Sequence, residues 1–269
     1  MPRSTINGTA IDLDGKEMIL DADQDTTIAV DTDDRVDIKV AGTDTVHIDA
    51  SGIGVNINNP LYPLHVTEAS GGDTAAVFID GPTNGTSALF MGDSDDIDIG
   101  SIQYNHSSNY MSFRTNAAES MRIDSIGAVT KPLQPAFLAF ASGQNNFAID
   151  TSHTVAYDTE VYDQNADFSS NTFTAPITGR YLLTQNLYIT GIANDANYLW
   201  FYINTSNRTY SSIVDPGTFD ENSSYHNLHV SVVADMDAND TATSVYFQNG
   251  GTASSDVGGG TFFSGCLLA

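Results

Sequence analysis

Between residues 28 and 57, apolar and polar residues alternate in short runs: Ile28-Ala-Val30, Val36-Asp-Ile38-Lys-Val40, Val46-His-Ile48 and Ile53-Gly-Val55-Asn-Ile57. A period of two puts every second side chain on one face, so each run predicts a strand with one apolar face. Turns containing Asp, Thr and Gly separate the runs. No aromatic residue lies among them. Strands this thin cannot close a core alone, because a single-layer sheet leaves its apolar face in water. Stacking identical copies around an axis would bury that face. Residues 1–59 are therefore read as a repetitive β-stem that folds as an oligomer and carries an attachment end.

The β texture continues through residues 60–131, with strands expected at Ala75–Ile79, Ser87–Met91, Ser101–Tyr104, Tyr110–Arg114 and Ser120–Ile123. The tetrapeptide Asn105-His-Ser-Ser108 reads as a hairpin loop within this β-hairpin module. Lys131-Pro-Leu-Gln-Pro135 then reads as a stiff hinge, since each proline drives its predecessor out of the helical region. Over residues 132–269 the strands carry larger apolar residues: 137–141, 154–157, 179–189, 198–204, 228–234, 243–248 and 261–268. Seven or more such strands predict a sandwich. Helical periodicity is absent throughout. The fold class is all-β.

Composition changes the picture at three points. Up to Lys131 the chain has six aromatic residues, and beyond it twenty, Trp200 included. Aromatics bury the most area per residue, so the one substantial core is expected in the C-terminal half. Nine Lys and Arg stand against 34 Asp and Glu, a formal net charge of −25. Such a surface repels nucleic acid and anionic lipid, and neither is expected as a partner. One cysteine, Cys266, cannot form an intrachain disulfide. The N-terminal residues lack the apolar core of a signal peptide and no run of eighteen apolar residues occurs, so no membrane insertion is expected.

Several motifs resemble known families. Val155-Ala-Tyr-Asp158 with Val161-Tyr-Asp163, Phe168, the run Phe173-Thr-Ala-Pro-Ile-Thr-Gly-Arg-Tyr-Leu-Leu183 and the closing Phe263-Ser-Gly-Cys-Leu-Leu268 resemble the C1q-like domain of the C1q and tumour-necrosis-factor superfamily. That resemblance implies a ten-stranded jelly roll that trimerises about a three-fold axis, and an inert, buried thiol at Cys266. Ile53-Gly-Val-Asn-Ile-Asn-Asn-Pro60 with Leu64-His-Val66 is similar to a short module common in bacteriophage fibre proteins. Tyr104-Asn-His106, Met111–Asn116 and Glu119–Asp124 look like the hairpin that often follows it. Together they imply a virion fibre: an elongated homotrimer with a β-stem and a C1q-like jelly-roll head. Its implied partners are further copies of itself, a capsid or tail protein held through the N-terminus, and a glycan or protein on the host surface. The chain could be a tail fibre or a head fibre decorating the capsid; a bacterial C1q-like adhesin is the reading from another class.

Candidate sites follow from residue chemistry. Within the head, Phe173, Pro176, Gly179, Tyr181, Phe263 and Gly265 are expected as core positions, Pro176 and Gly179 at the turn that leads into it. The head's loops offer Tyr210, Asp215, Asp220, Asn222, Tyr225 and His226, a polar-aromatic mixture suited to receptor contacts on a rigid scaffold. Asp21-Ala-Asp-Gln-Asp25 opens like a calcium loop, but Thr26 stands where Gly and Thr32 where Glu is needed, so a solvated turn is expected. Asp93, Asp95 and Asp96 could hold a hard cation such as structural Ca2+, although a solvated turn is the simpler reading. The six histidines are scattered without zinc-ligand spacing. Paired acids are too common here to mark an active site, the stem has no aromatic groove for a depolymerase, and Cys266 has no evident basic partner. Neither an enzyme nor a cofactor is expected.

Overall fold

The computed structural model describes residues 17–32, 34–68 and 74–269. The expected attachment end lies largely outside them. Among the described residues the one helical element is a 3-10 turn, Pro216–Thr218, and no helix is long and apolar enough to cross a membrane. Contacts divide the chain into two units, Met1–Asp80 and Gly81–Ala269.

In the first unit, β1 (Met18–Ile19), β2 (Thr27–Thr32), β3 (Arg35–Val40), β4 (Thr43–Asp49), β5 (Gly52–Val55) and β6 (Leu64–Val66) pair in chain order. The sheet runs past residue 59 because β6 returns parallel to β5. That return requires Gly52, at φ +148°, where a Cβ would sit 2.6 Å from the Pro63 backbone. Register aligns Met18, Ile28, Ile38, Val46, Val55 and Val66 in one row across all six strands. Val36, Ile48, Ile53 and Leu64 form a second row on the same face. This aliphatic face is incompletely covered: Met18 is 41%, Ile48 40%, Ile53 42% and Leu64 60% exposed, and the other six are half-buried. The opposite face holds Ala29, Asp37 and His47 in one row, all buried. There the Asp37 carboxylate bonds His47 Nδ1 and accepts from Arg35 Nη2 at 2.8 Å.

The second unit opens with a meander of β7 (Thr86–Met91), β8 (Gly100–Asn105), β9 (Tyr110–Thr115), β10 (Ala118–Ile123) and β11 (Val129–Thr130). Asn105 turns the β8–β9 hairpin by accepting from the Ser108 backbone N–H at 2.9 Å. Leu89, Ile102, Phe113 and Met121 form a cross-strand row whose first two members are 54% and 38% exposed. The strand expected at Ala75–Ile79 does not form. That stretch joins no ladder and leaves Phe78 88% exposed, so an apolar run without a neighbouring strand stays unpaired.

Twelve strands build the sandwich: β12 (Ala136–Phe140), β13 (Ser152–Thr154), β14 (Thr159–Gln164), β15 (Phe168–Ser169), β16 (Thr172–Thr174), β17 (Gly179–Ile192), β18 (Tyr198–Thr205), β19 (Thr209–Val214), β20 (Ser223–Met236), β21 (Thr241–Asn249), β22 (Asp256–Val257) and β23 (Phe262–Leu267). One sheet has the order β14-β12-β23-β17-β20, with β22 on β17. The other has the order β15-β16-β21-β18-β19, with β13 on β21. From β17 onward the chain crosses repeatedly between the sheets, the strand order of a jelly roll. Inward residues alternate along every long strand. Phe137 anchors the core, its ring 4.8 Å from Phe168, 4.9 Å from Phe173 and 5.1 Å from Phe263. Gly265 is obligatory beside it, because a Cβ there would lie 2.7 Å from both Leu183 and Phe137. Gly179 likewise admits the C-terminal residues, with Ala269 and Leu267 atoms 2.7 Å from where its Cβ would be.

Two expectations are corrected in the sandwich. Pro176 is exposed in the turn before β17 rather than in the core. Cys266 is half-buried on the outer face of β23, since Phe263 and Gly265 take the inward positions.

Candidate functional site

The loop between β19 and β20, with the first residues of β20, gathers five of the six expected recognition residues. Asp215 Oδ1 accepts from the Gly217 N–H at 2.8 Å, and Pro216 follows, so the side chain of Asp215 sets a turn. Past that turn the chain is polar, and Asn222 Oδ1 accepts from the Asn194 N–H at 2.9 Å, tying the loop to the one after β17. Residues 218–226 line an open cleft of about 600 Å³ that includes Asp220, Asn222, Tyr225 and His226. Adjacent positions on β20 send the last two in opposite directions. Tyr225 is 67% exposed with its ring 6.4 Å from Tyr188, whereas His226 lies 5.6 Å from Phe219. Carboxylates from Asp220 and Glu221 beside a carboxamide and a phenol can accept and donate hydrogen bonds to a polar ligand.

Tyr210 stands apart. It faces inward from β19 against the core, and its hydroxyl donates to Asp235 Oδ1 at 3.2 Å. Asp235 lies ten positions along β20 from Tyr225, about 33 Å at the rise of an extended strand. Arg208 Nη2 pairs with the same carboxylate at 2.7 Å. Burial and then the Asp235 carboxylate hold the Tyr210 phenol above its ordinary value.

The acidic candidates separate in an unexpected way. Asp93 Oδ1 accepts from the Asp95 and Asp96 backbone N–H groups at 2.9 and 3.0 Å, bonds that hold its carboxyl below the usual range. The carboxylate is thus engaged in closing its own turn. Among the described residues, the acids that converge are instead Asp21, Asp23 and Asp25, whose oxygens lie within 4.8 Å of one another. Thr26 bonds Asp21 and holds its carboxyl low.

No protein-family model matches the chain, and a comparison with curated proteins gives no match either. Solved structures do match. The globular domain of a zebrafish complement C1qA protein is 16% identical, covering 51% of this chain and 98% of that one at a TM-score of 0.40. Murine APRIL is 12% identical, covering 50% of this chain and 99% of that one at a TM-score of 0.38. The jelly-roll assignment rests on the strand order itself.

Sequence reading did not separate the two faces of β18. Leu199, Phe201 and Ile203 enter the core, while Tyr198, Trp200 and Tyr202 share the outward face. Every residue from Tyr198 to Ile203 is apolar or aromatic, so no alternation shows which face is buried.

Proposed function

We propose that this chain is a non-enzymatic structural subunit of a bacteriophage virion fibre, assembled as a homotrimer and displaying the jelly-roll sandwich for adhesion to a host-surface glycan or protein. The observation that carries self-association is the incompletely covered aliphatic face of the first sheet. Ten aliphatic side chains in two register-matched rows have no second layer within their own sheet. The exposed row through Leu89 and Ile102 in the β7–β11 meander points the same way. Further copies of the chain, repeating the same rows around an axis, would cover such faces. The fibre assignment itself rests on the sequence motifs and their order.

Sedimentation of the full chain is expected to give one species near three times 28.7 kDa. A stable monomer at micromolar concentration would sink the homotrimer. Immunogold labelling of purified virions distinguishes a tail fibre from a head fibre, and absence of label from every virion removes the fibre reading.

A further inference from the structure

The outward face of the sheet β15-β16-β21-β18-β19 has a chemistry of its own. Its positions on β13, β18, β19 and β21 carry hydroxyls, carboxamides, aromatic rings and a few aliphatic groups, and not one Asp, Glu, Lys or Arg. The chain as a whole has 34 acidic residues. At the centre, register sets Ser152, Phe247, Trp200 and Ile213 in one row, and Tyr202 beside Ser211 in the next. Trp200 lies 4.4 Å from the Tyr202 ring at 36°, and 6.4 Å from Phe247. Tyr198, two residues earlier on the same face, is 5.9 Å from Phe247. The four rings form one contiguous platform. Their packing against one another fixes them in advance, and the Tyr202 hydroxyl is held by Ser152 Oγ at 3.3 Å.

We infer that this platform is a binding site for a neutral saccharide, seated on the partly exposed rings of Trp200, Tyr198 and Phe247, with the buried Tyr202 ring packed against Trp200 as their support. Electron-rich ring faces attract the polarised C–H groups of a pyranose, and the flanking Ser, Thr and Asn side chains exchange hydrogen bonds with its hydroxyls. An uncharged face favours an uncharged ligand. A charged peptide or polysaccharide would meet no counter-charge there, and the net charge of −25 repels anions generally. Area argues against a second copy of the chain as the occupant. An aromatic side chain carries about 150–250 Å²; with Tyr202 only 9% exposed and the other three rings largely buried, the four offer on the order of 200 Å² together. A standard protein interface uses about 800 Å² per partner. The site needs the sandwich alone, so it stands or falls independently of the fibre assignment.

Trp200 is the single tryptophan of the chain, so its fluorescence reads the platform directly. Titrating the full chain with maltohexaose, cellohexaose, mannohexaose and hexa-N-acetylchitohexaose, all uncharged, is expected to give a saturable change with at least one, and none with polygalacturonate. Ile213→Asp sets a carboxylate beside Trp200 at a position 60% exposed, where it leaves the fold intact. It is expected to weaken the saccharide by about tenfold or more, as is Tyr198→Ala, the loss typical of a central contact. No response to any of the four at millimolar concentration overturns the inference. So does binding that both variants leave unchanged, or a preference for polygalacturonate. A Trp200 spectrum that shifts with protein dilution, in step with a change in mass, places a second copy on the platform and also overturns it.

Discussion

Tyr181 has no exposed surface, its ring lies 5.4 Å from Phe173, and its hydroxyl donates to the Ile177 carbonyl at 2.7 Å. Truncation would leave a cavity in the sandwich core and remove that hydrogen bond. Tyr181→Ala is expected to lose about 3–5 kcal/mol, and Tyr181→Phe about 1 kcal/mol, in urea unfolding of the full chain. A loss under about 0.5 kcal/mol for the alanine variant, typical of a surface change, would place Tyr181 outside the core. A second buried phenol gives the sandwich a pH limit. Burial pushes Tyr246 up to about 12, and pushes Tyr157 up as well. An unfolded tyrosine releases its proton near 10, so between roughly pH 10 and 12 the folded state holds more protons than the unfolded one. Stability must therefore fall as pH rises through that window and be unaffected by these groups below it. The Tyr246 share is on the order of 2 kcal/mol. Tyr246→Phe is expected to flatten the fall, with Ser255 still bonded to Gln248 at 2.7 Å; an unchanged slope would mean that Tyr246 ionises freely in the fold.

Among the elements, the segment read as a hinge shows how far composition can mislead. Pro132 and Pro135 do stiffen residues 131–135, but Gln164 on β14 pins them: its Nε2 lies 3.1 Å from the Pro132 carbonyl and 3.0 Å from that of Gln134. Asn165 Nδ2 adds a bond to the Leu133 carbonyl at 2.9 Å. Gln164→Ala is expected to speed proteolytic cleavage within 131–134 while leaving the global unfolding midpoint little changed. Equal cleavage rates would show that the prolines alone hold the segment. The legible strands were those with a clean alternation, such as Val36–Val40 and Val46–Ile48, where period and face can both be read. Thr209–Val214 was not among them. Its Ser211-Ser212 pair reads as loop, so Tyr210 was grouped with surface residues although its parity on β19 turns it inward. Gly265 was legible as part of a motif, but the reason for it, a place for Leu183 and Phe137 to approach the backbone, exists only once three strands have come together. Converging acids are likewise a property of the folded loop. Asp21, Asp23 and Asp25 meet while Asp93 is occupied by its own turn, a difference that spacing alone does not express.

For the whole molecule the dominant unbalanced quantity is charge. Up to Lys131 there are 21 acidic against seven basic residues, a formal −14, and beyond it 13 against two, a formal −11. Three chains of −25 carry −75. The N-terminal part has six aromatics to hold it and the C-terminal part twenty, so similar repulsion acts on very different cores. In a trimer, identical acidic turns such as Asp21–Asp25 come round once per chain, at positions that solvent reaches. Each close pair of exposed like charges costs on the order of 1 kcal/mol in water. Salt screens such pairs over about 8 Å at physiological strength. Removing salt should therefore open residues 17–130 to protease before the sandwich, and NaCl should restore their resistance. The comparison that matters is chelator against no chelator at constant ionic strength. If screening is the mechanism, chelator changes nothing once NaCl is present, and cleavage follows ionic strength alone. A chelator effect at fixed ionic strength would instead mean that a bound divalent cation, rather than screening, holds the acidic turns together. Equal resistance of the N-terminal part at every salt concentration would show that its aliphatic rows, once covered by neighbouring chains, outweigh the repulsion altogether.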